Sequence, residues 1–347
     1  MAGVKDVARL AGVSVATVSR VLNDSASVTD ATRARVLAAV DELGYRPNAV
    51  ARSLRTDTTR TIGLVIGDIL NPFFTELARA IEDQARASGY SVVIGNADER
   101  PERQDHYVRT LLEQRVDGLL LCPTAEITPL VRDVVSGGAP LVFLDRTLPG
   151  LDVPTVRADG AAAIAELVRH LARLGHRRIA FVSGPALLST GRERTEAFKA
   201  AMEAAGLAVR PEYLEAGDFQ AASGRAAAAR LLDLPEPPEV VFAGDNLMAL
   251  GALDEIRARR LRIPADVGIA SYDDVPWFTH VDPPVTAIGQ PVQELGRRAV
   301  RALLERIEGR PVEPAVLDAR LVVRRSCGEP ADEPGDEGNG SEGSGRP

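Results

Sequence analysis

From Thr61 onward the chain alternates short, unbroken apolar runs with alanine-rich stretches of helical period, and this alternation limits the fold more than any other feature. The runs fall at 62–66, 91–94, 118–121, 141–144, 179–182, 240–242 and 267–270. Helix-like stretches occupy 74–87, 161–174, 192–205, 221–232 and 246–259. A strand covered on both faces reads as a continuous apolar run, so the pattern predicts parallel sheets with helices on either side. The runs are too many for one compact sheet. Two similar Rossmann-like α/β lobes are therefore expected, an N-terminal lobe from 60–157 with 290–320 and a C-terminal lobe from 158–289 with 321–327. With 347 residues, two or three domains are expected, since one core seldom grows past roughly 250–300 residues.

The first sixty residues differ. Val4, Val7, Ala8 and Ala11 recur at helical spacing, Gly12-Val13 breaks the pattern, and Ser14 can cap a second helix over 15–22. A third helix is expected after Thr29 as N-cap, with Val36, Leu37, Val40 and Leu43 as its apolar stripe and Gly44 as its C-cap. Two short helices joined by a tight glycine-containing turn form a helix-turn-helix. The start of the second helix offers Ser14, Val15, Ala16, Thr17, Ser19 and Arg20: small residues, hydroxyls and a guanidinium, which suit a major groove. The net charge of −8 obscures this. Residues 1–60 hold nine Lys or Arg against six Asp or Glu, a net of +3, and a basic end on an acidic body can still bind phosphate.

Lys5-Asp6-Val7-Ala8, Ala11-Gly12-Val13-Ser14, Thr17-Val18-Ser19-Arg20-Val21-Leu22-Asn23 and Tyr45-Arg46-Pro47-Asn48 resemble the headpiece of the LacI/GalR family of transcriptional regulators. The resemblance continues through Ala49-Val50-Ala51-Arg52-Ser53-Leu54 and on to about Arg325. It implies a DNA-binding headpiece over 1–46 with Val15, Ala16 and Arg20 as the main base readers, and a hinge helix and linker over 47–59. Leu54 matches the leucine that relatives wedge into a central base step of the minor groove. Asn23, Tyr45, Asn48, Ala51, Arg52 and Arg55 complete the DNA-binding set that the resemblance implies. The hinge has its own logic, because Pro47 stops the preceding helix, Asn48 can cap the next, and eight residues make a helix that is marginal alone.

The ends of the apolar runs carry Asp68, Asn71-Pro72-Phe73-Phe74, Asp145-Arg146, Gly184-Pro185 leading to Arg192 and Arg194, Asp218-Phe219, Asp245-Asn246, Tyr272-Asp273-Asp274 and Gln290. Ligands of doubly wound sheets bind outside the carboxyl ends of the strands. Aromatic faces with carboxylates, guanidiniums and amides suit a sugar, the rings covering C–H faces and the polar groups bonding hydroxyls. Singly, each residue could be a helix cap or a core ring. The body resembles periplasmic sugar-binding proteins, especially those for ribose, and ribose repressors. By that resemblance Phe73, Phe74 and Phe219 sandwich a sugar ring, while Asp145, Arg146, Arg194, Asp273 and Gln290 bind hydroxyls, with Asn71, Arg192 and Asp245 beside them. Relatives commonly carry Asn-Asp where this chain has Asp245-Asn246. The purine-responsive branch is the alternative, but Leu188 stands where its base-contacting arginine would lie.

Enzymatic motifs are missing: no GxSxG, GxxxxGK[ST] or HExxH occurs, and the four histidines are scattered. Cys122 and Cys327 make neither a disulfide framework nor a metal cluster, so no metal or cofactor is expected. No apolar run reaches the ~18 residues of a membrane span, and the start of the chain lacks a signal-peptide apolar stretch, so a cytoplasmic protein is expected. Residues 328–347 hold six acids against Arg346 alone and almost nothing to bury, which predicts a disordered acidic tail. Together these readings anticipate a homodimeric repressor that binds a pseudo-palindromic double-stranded operator, its affinity set by a small sugar, a pentose such as ribose. A sugar-binding protein without a DNA role is the rival, and it has no use for residues 1–55.

Overall fold

The computed structural model describes residues 2–22, 28–45 and 58–329. Most of the expected hinge, including Asn48, Ala51, Arg52, Leu54 and Arg55, lies outside the described residues, as do Asn23 and the acidic tail beyond 329. The chain divides into two compact units, 1–60 and 61–347.

In the first unit, α1 (Val4–Ala11) buries Val7, Ala8 and Ala11. Gly12, at φ 65°, then reverses the chain, a conformation that glycine adopts without steric cost. Ser14 Oγ accepts the amide of Thr17 at 3.1 Å and so caps α2 (Val15–Leu22), which buries Val18 and Val21. α3 (Asp30–Glu42) follows Thr29 and buries Val36 and Ala39 against the other two helices. Two expectations need correction. Leu37 is 46% exposed, because one residue further along a helix turns about 100° away from Val36, and Ala39 takes the packed position. The helix also caps on Leu43, one residue before the expected cap Gly44, which follows at φ 55°.

The second unit contains two six-stranded sheets. The first has the order β11-β5-β4-β3-β1-β2 and is parallel throughout, from β1 (Thr61–Ile66), β2 (Ser91–Asn96), β3 (Gly118–Leu121), β4 (Leu141–Leu144), β5 (Thr155–Asp159) and β11 (Ala315–Asp318). In the central pairs Ile62 lies beside Val92 on one flank and Gly118 on the other. The second has the order β12-β10-β9-β8-β6-β7, from β6 (Ile179–Ser183), β7 (Leu214–Ala216), β8 (Val240–Ala243), β9 (Gly268–Tyr272), β10 (Thr286–Gly289) and β12 (Arg320–Val322). Only β12 runs antiparallel to its neighbour. The central strands of each sheet are buried on both faces, as their apolar runs require, but the run at 91–94 lies on the edge strand β2, where Val93 and Ile94 are exposed.

α4 (Pro72–Ala87), α5 (Pro101–Glu113), α6 (Pro129–Ser136) and α11 (Val292–Ile307) belong to the first lobe, and α11 packs along α4. α7 (Ala161–Arg173), α8 (Ser189–Ala204), α9 (Ala221–Leu232) and α10 (Asn246–Ala258) belong to the second. The chain passes between the sheets three times, at 159–161, 289–292 and 318–320. No helix among the described residues is long and apolar enough to cross a membrane.

Candidate functional sites: a recognition helix and an interlobe cleft

On α2 the packed side is wholly apolar and the opposite side is mixed. Ser14, Val15, Ala16 and Arg20 are exposed, Thr17 and Ser19 half-exposed, while Val18 and Val21 hold the helix to its core. Tyr45 instead packs half-buried against the headpiece core, where its ring helps to fix α3. α2 thus presents small side chains and one long cation on a single free face, the shape that a major groove accepts.

In the body, the carboxyl ends of β1, β4, β6, β8 and β9 bring charged and aromatic side chains together between the lobes. Asp68, Asn71, Asp145, Arg146, Arg194, Asp245, Asn246 and Asp273 are all buried there, although their residue types are ordinarily exposed. Asp145, Phe219 and Asp273 adopt left-handed backbone conformations, at φ 62°, 64° and 66°, and Glu99 does so at 54°. Such conformations cost non-glycine residues of order 1–3 kcal/mol each and cluster where a side chain must be re-aimed.

Arg146 is the centre of the first-lobe group. Its guanidinium makes a two-pronged bond with Glu99 at 2.6 and 2.8 Å, and its Nε lies 3.5 Å from Asp145 Oδ2. The same guanidinium sits 5.8 Å from the ring centres of both Phe74 and Phe219, so the two expected sandwich rings flank a protein cation. Phe73 meets Phe74 edge-on at 5.1 Å and lines a separate small cavity of about 170 Å³ with Glu76, Asp273 and Gln290. From the second lobe, Arg194 lies 3.7 Å over the Tyr272 ring and donates to the Gly244 carbonyl at 2.7 Å. Gln290 donates to Asp273 at 2.6 Å.

Side chains also bond across the cleft. Asn246 donates to Asn71 Oδ1 at 2.8 Å, Gln220 to Asp68 at 3.3 Å, and the Thr147 amide to Ser189 Oγ at 3.0 Å. Arg157 pairs with Glu193 at 3.1 Å. Asn71 has a second duty as N-cap of α4, accepting the Phe73 amide at 3.0 Å ahead of Pro72. Next to this junction is a cavity of about 490 Å³ whose lining includes Asp145, Asp159, Thr190, Arg194 and Tyr272.

Burial raises the Asp245 carboxyl to about 7; the Met248 amide it caps opposes that rise and the Asp273 charge adds to it. Asp273 is likewise raised by burial, against the pull of Arg194. Three buried atoms at the cleft lack a hydrogen-bond partner among the described residues: Asn246 Oδ1, Thr190 Oγ1 and Arg146 Nε.

The cleft thus brings together Asn71, Phe74, Asp145, Arg146, Arg194, Phe219, Asp245, Asp273 and, through Asp273, Gln290. Arg192 is two residues from Arg194, about 200° around the helix, and stands half-exposed on another face of α8. Asp245 reaches the cluster, 3.5 Å from Asn71, but its shorter bond caps α10 through the Met248 amide at 2.8 Å. Glu99 and Thr190 are functional candidates that the sequence reading did not single out, while Asn246 and Tyr272 were read at strand ends but not assigned to the ligand set. The orphaned Asn246 Oδ1 needs the structure to be seen; the exchanged order of Asp245-Asn246 is the only trace of it in the sequence.

A helix-turn-helix unit joined to a pair of parallel-sheet lobes with a polar cleft between them defines a ligand-responsive DNA-binding regulator. Residues 3–48 match the bacterial regulatory proteins of the lacI family, and residues 168–327 match the periplasmic binding protein-like domain. Over 327 residues the chain is 35% identical to the HTH-type transcriptional repressor CytR of Escherichia coli (strain K12), covering 94% of this chain and 96% of CytR. The Lac repressor dimer bound to operator and the anti-inducer ONPF matches with a TM-score of 0.84 at 30% identity, covering 94% of this chain and 99% of that one. A complex of the transcriptional regulator CelR with cellobiose matches with a TM-score of 0.71 at 34% identity, covering 94% and 100%. The chain belongs to the lacI family of bacterial regulatory proteins. It is a DNA-binding repressor with a ligand-binding effector domain, and, like its relatives, a regulator and not an enzyme.

Proposed function

We propose that this chain is a homodimeric repressor whose hold on a pseudo-palindromic operator is set by a small saccharide, a pentose such as ribose, bound between the two lobes. The observation that carries the reading is the buried set of Asp145, Arg194 and Asp273 with Phe74 and Phe219 at facing strand ends, joined across the cleft by Asn71 and Asn246. Rings for C–H faces and charged groups for hydroxyls are what a saccharide needs. CelR, a relative of similar fold, forms a complex with cellobiose. Leu188 is buried in the second-lobe core, which favours a saccharide over a purine at the position where purine-responsive relatives carry an arginine. Ser14, Val15, Ala16, Thr17, Ser19 and Arg20 read or grip the operator, and residues 47–59 form the hinge, with Leu54 as a minor-groove wedge. The protein acts in the cytoplasm, where its operator lies.

A thermal-shift screen of pentoses, hexoses and purines tests this, followed by operator titration with each hit. Ribose is expected to raise the melting temperature and to change operator affinity about 5–150-fold. If no saccharide does both, the reading fails.

A further inference from the structure

Resting on the reading of the cleft as the effector site, the balance of buried charge says more about the effector. Five acidic side chains, the buried Asp68, Asp145, Asp245 and Asp273 and the half-buried Glu99, meet two buried guanidiniums, Arg146 and Arg194. Both guanidiniums are already engaged, and the one orphaned N–H among them, Arg146 Nε, has Asp145 Oδ2 only 3.5 Å away. Arg146 is clasped by Glu99 with Asp145 beside it. Arg194 is spent on the Gly244 carbonyl and the Tyr272 ring, and the charges of Asp145, Asp245 and Asp273 face it. Among the orphaned atoms, Asn246 Oδ1, in a fully buried side chain, can only accept, and the Thr190 hydroxyl can accept or donate. A buried site with surplus negative charge and open acceptors favours ligands rich in O–H or N–H donors.

We propose that the cleft selects its effector by charge, holding an uncharged or cationic donor-rich molecule and rejecting anionic ones, phosphorylated saccharides above all. Asp245 is a determinant of that selection. Its carboxyl caps α10 through the Met248 amide and, as pH rises above about 7, adds a negative charge to the cleft.

The test uses the full-length protein and ligand sets matched by scaffold: ribose, ribose 5-phosphate and ribose bearing an uncharged 5-substituent of similar bulk; glucose, glucosamine and glucose 6-phosphate; adenosine and adenosine 5′-monophosphate. Calorimetric titration should find every scaffold that binds at least ~100-fold tighter than its phosphate ester, since like charges brought together across a binding surface are strongly disfavoured. The bulky uncharged analogue should keep most of its parent's affinity. Asp245→Asn retains a good N-cap and should narrow the gap between parent and phosphate by roughly tenfold. A phosphate ester that binds as well as its parent overturns the proposal, as does equal rejection of the bulky uncharged analogue or an unchanged gap in Asp245→Asn. The two readings separate cleanly. If adenosine binds but neither its monophosphate nor any saccharide does, the saccharide reading falls and charge selection stands. If ribose 5-phosphate binds as well as ribose, the reverse holds.

Discussion

Asp245 must cap a helix and sit buried among other acids, and the two demands conflict. Its folded pKa, about 7, lies above the ordinary 3.8, so the folded state binds a proton that the unfolded chain has released. The stability this provides is complete below pH ~3.8 and is lost as pH rises through about 7. Asp245→Asn removes that dependence and keeps the cap. The variant's melting temperature should therefore gain on the parent's steadily between pH ~4 and 8, and a constant or shrinking gap would show that the carboxyl does not hold its proton. Arg20 makes a simpler prediction: Arg20→Ala should cost ~1–3 kcal/mol of specific operator binding, measured against scrambled DNA at fixed salt. At this scale the sequence was legible where chemistry is tied to strand ends, as at Asp145, Arg194 and Asp273. It was not legible for Glu99 and Thr190, whose roles depend on what the fold brings opposite them. Nor could spacing reveal that Asp145, Phe219 and Asp273 turn left-handed to aim their side chains.

Helices α9 and α10 approach so closely that glycine is required in both. A Cβ on Gly224 would run into the backbone of Met248, and one on Gly251 into the Ala221 carbonyl. Alanine ordinarily improves a helix interior by about 1 kcal/mol over glycine. Here the collision is with backbone, which cannot rotate away, so Gly251→Ala should instead destabilise the body by ~1–3 kcal/mol, read as a lower urea midpoint. A stabilised variant would mean the helices can separate without penalty. β1, β3, β4, β6, β8 and β9 announced themselves because both their faces are buried, whereas β5 and the four-residue β10, though inside their sheets, were not read. The edge strand β11 exposes alternate residues, β7 is three residues long, and α5 buries only Gln104, Val108 and Leu111, so none of these carries a strong apolar signal. The stripe Val292, Leu295, Ala299, Val300 and Leu303 on α11 has helical period as well, but no helix was expected there.

For the molecule as a whole, a net charge of −8 gives no hint of DNA; only the split into a basic first sixty residues and an acidic remainder makes the function readable. The two units meet their ligands separately, so regulation requires one linked equilibrium in which the effector favours one arrangement of the body over another. Such a linkage is reciprocal: whatever factor the effector imposes on operator affinity, saturating operator must impose on effector affinity. Titrating the effector with and without a saturating operator duplex should give a ratio of dissociation constants equal to the ratio found in the converse experiment. Arg194→Ala removes a buried cation from among three carboxylates, and should abolish the effector's influence while headpiece binding to a half-site persists. Asn71→Ala should do less. It breaks the bond to Asn246 and the cap on α4 but leaves the charges in place, so the reciprocal ratio should shrink without vanishing. A ratio of one in both experiments on the parent would mean that effector and operator do not influence each other, and the cleft would then lose its claim to control the operator.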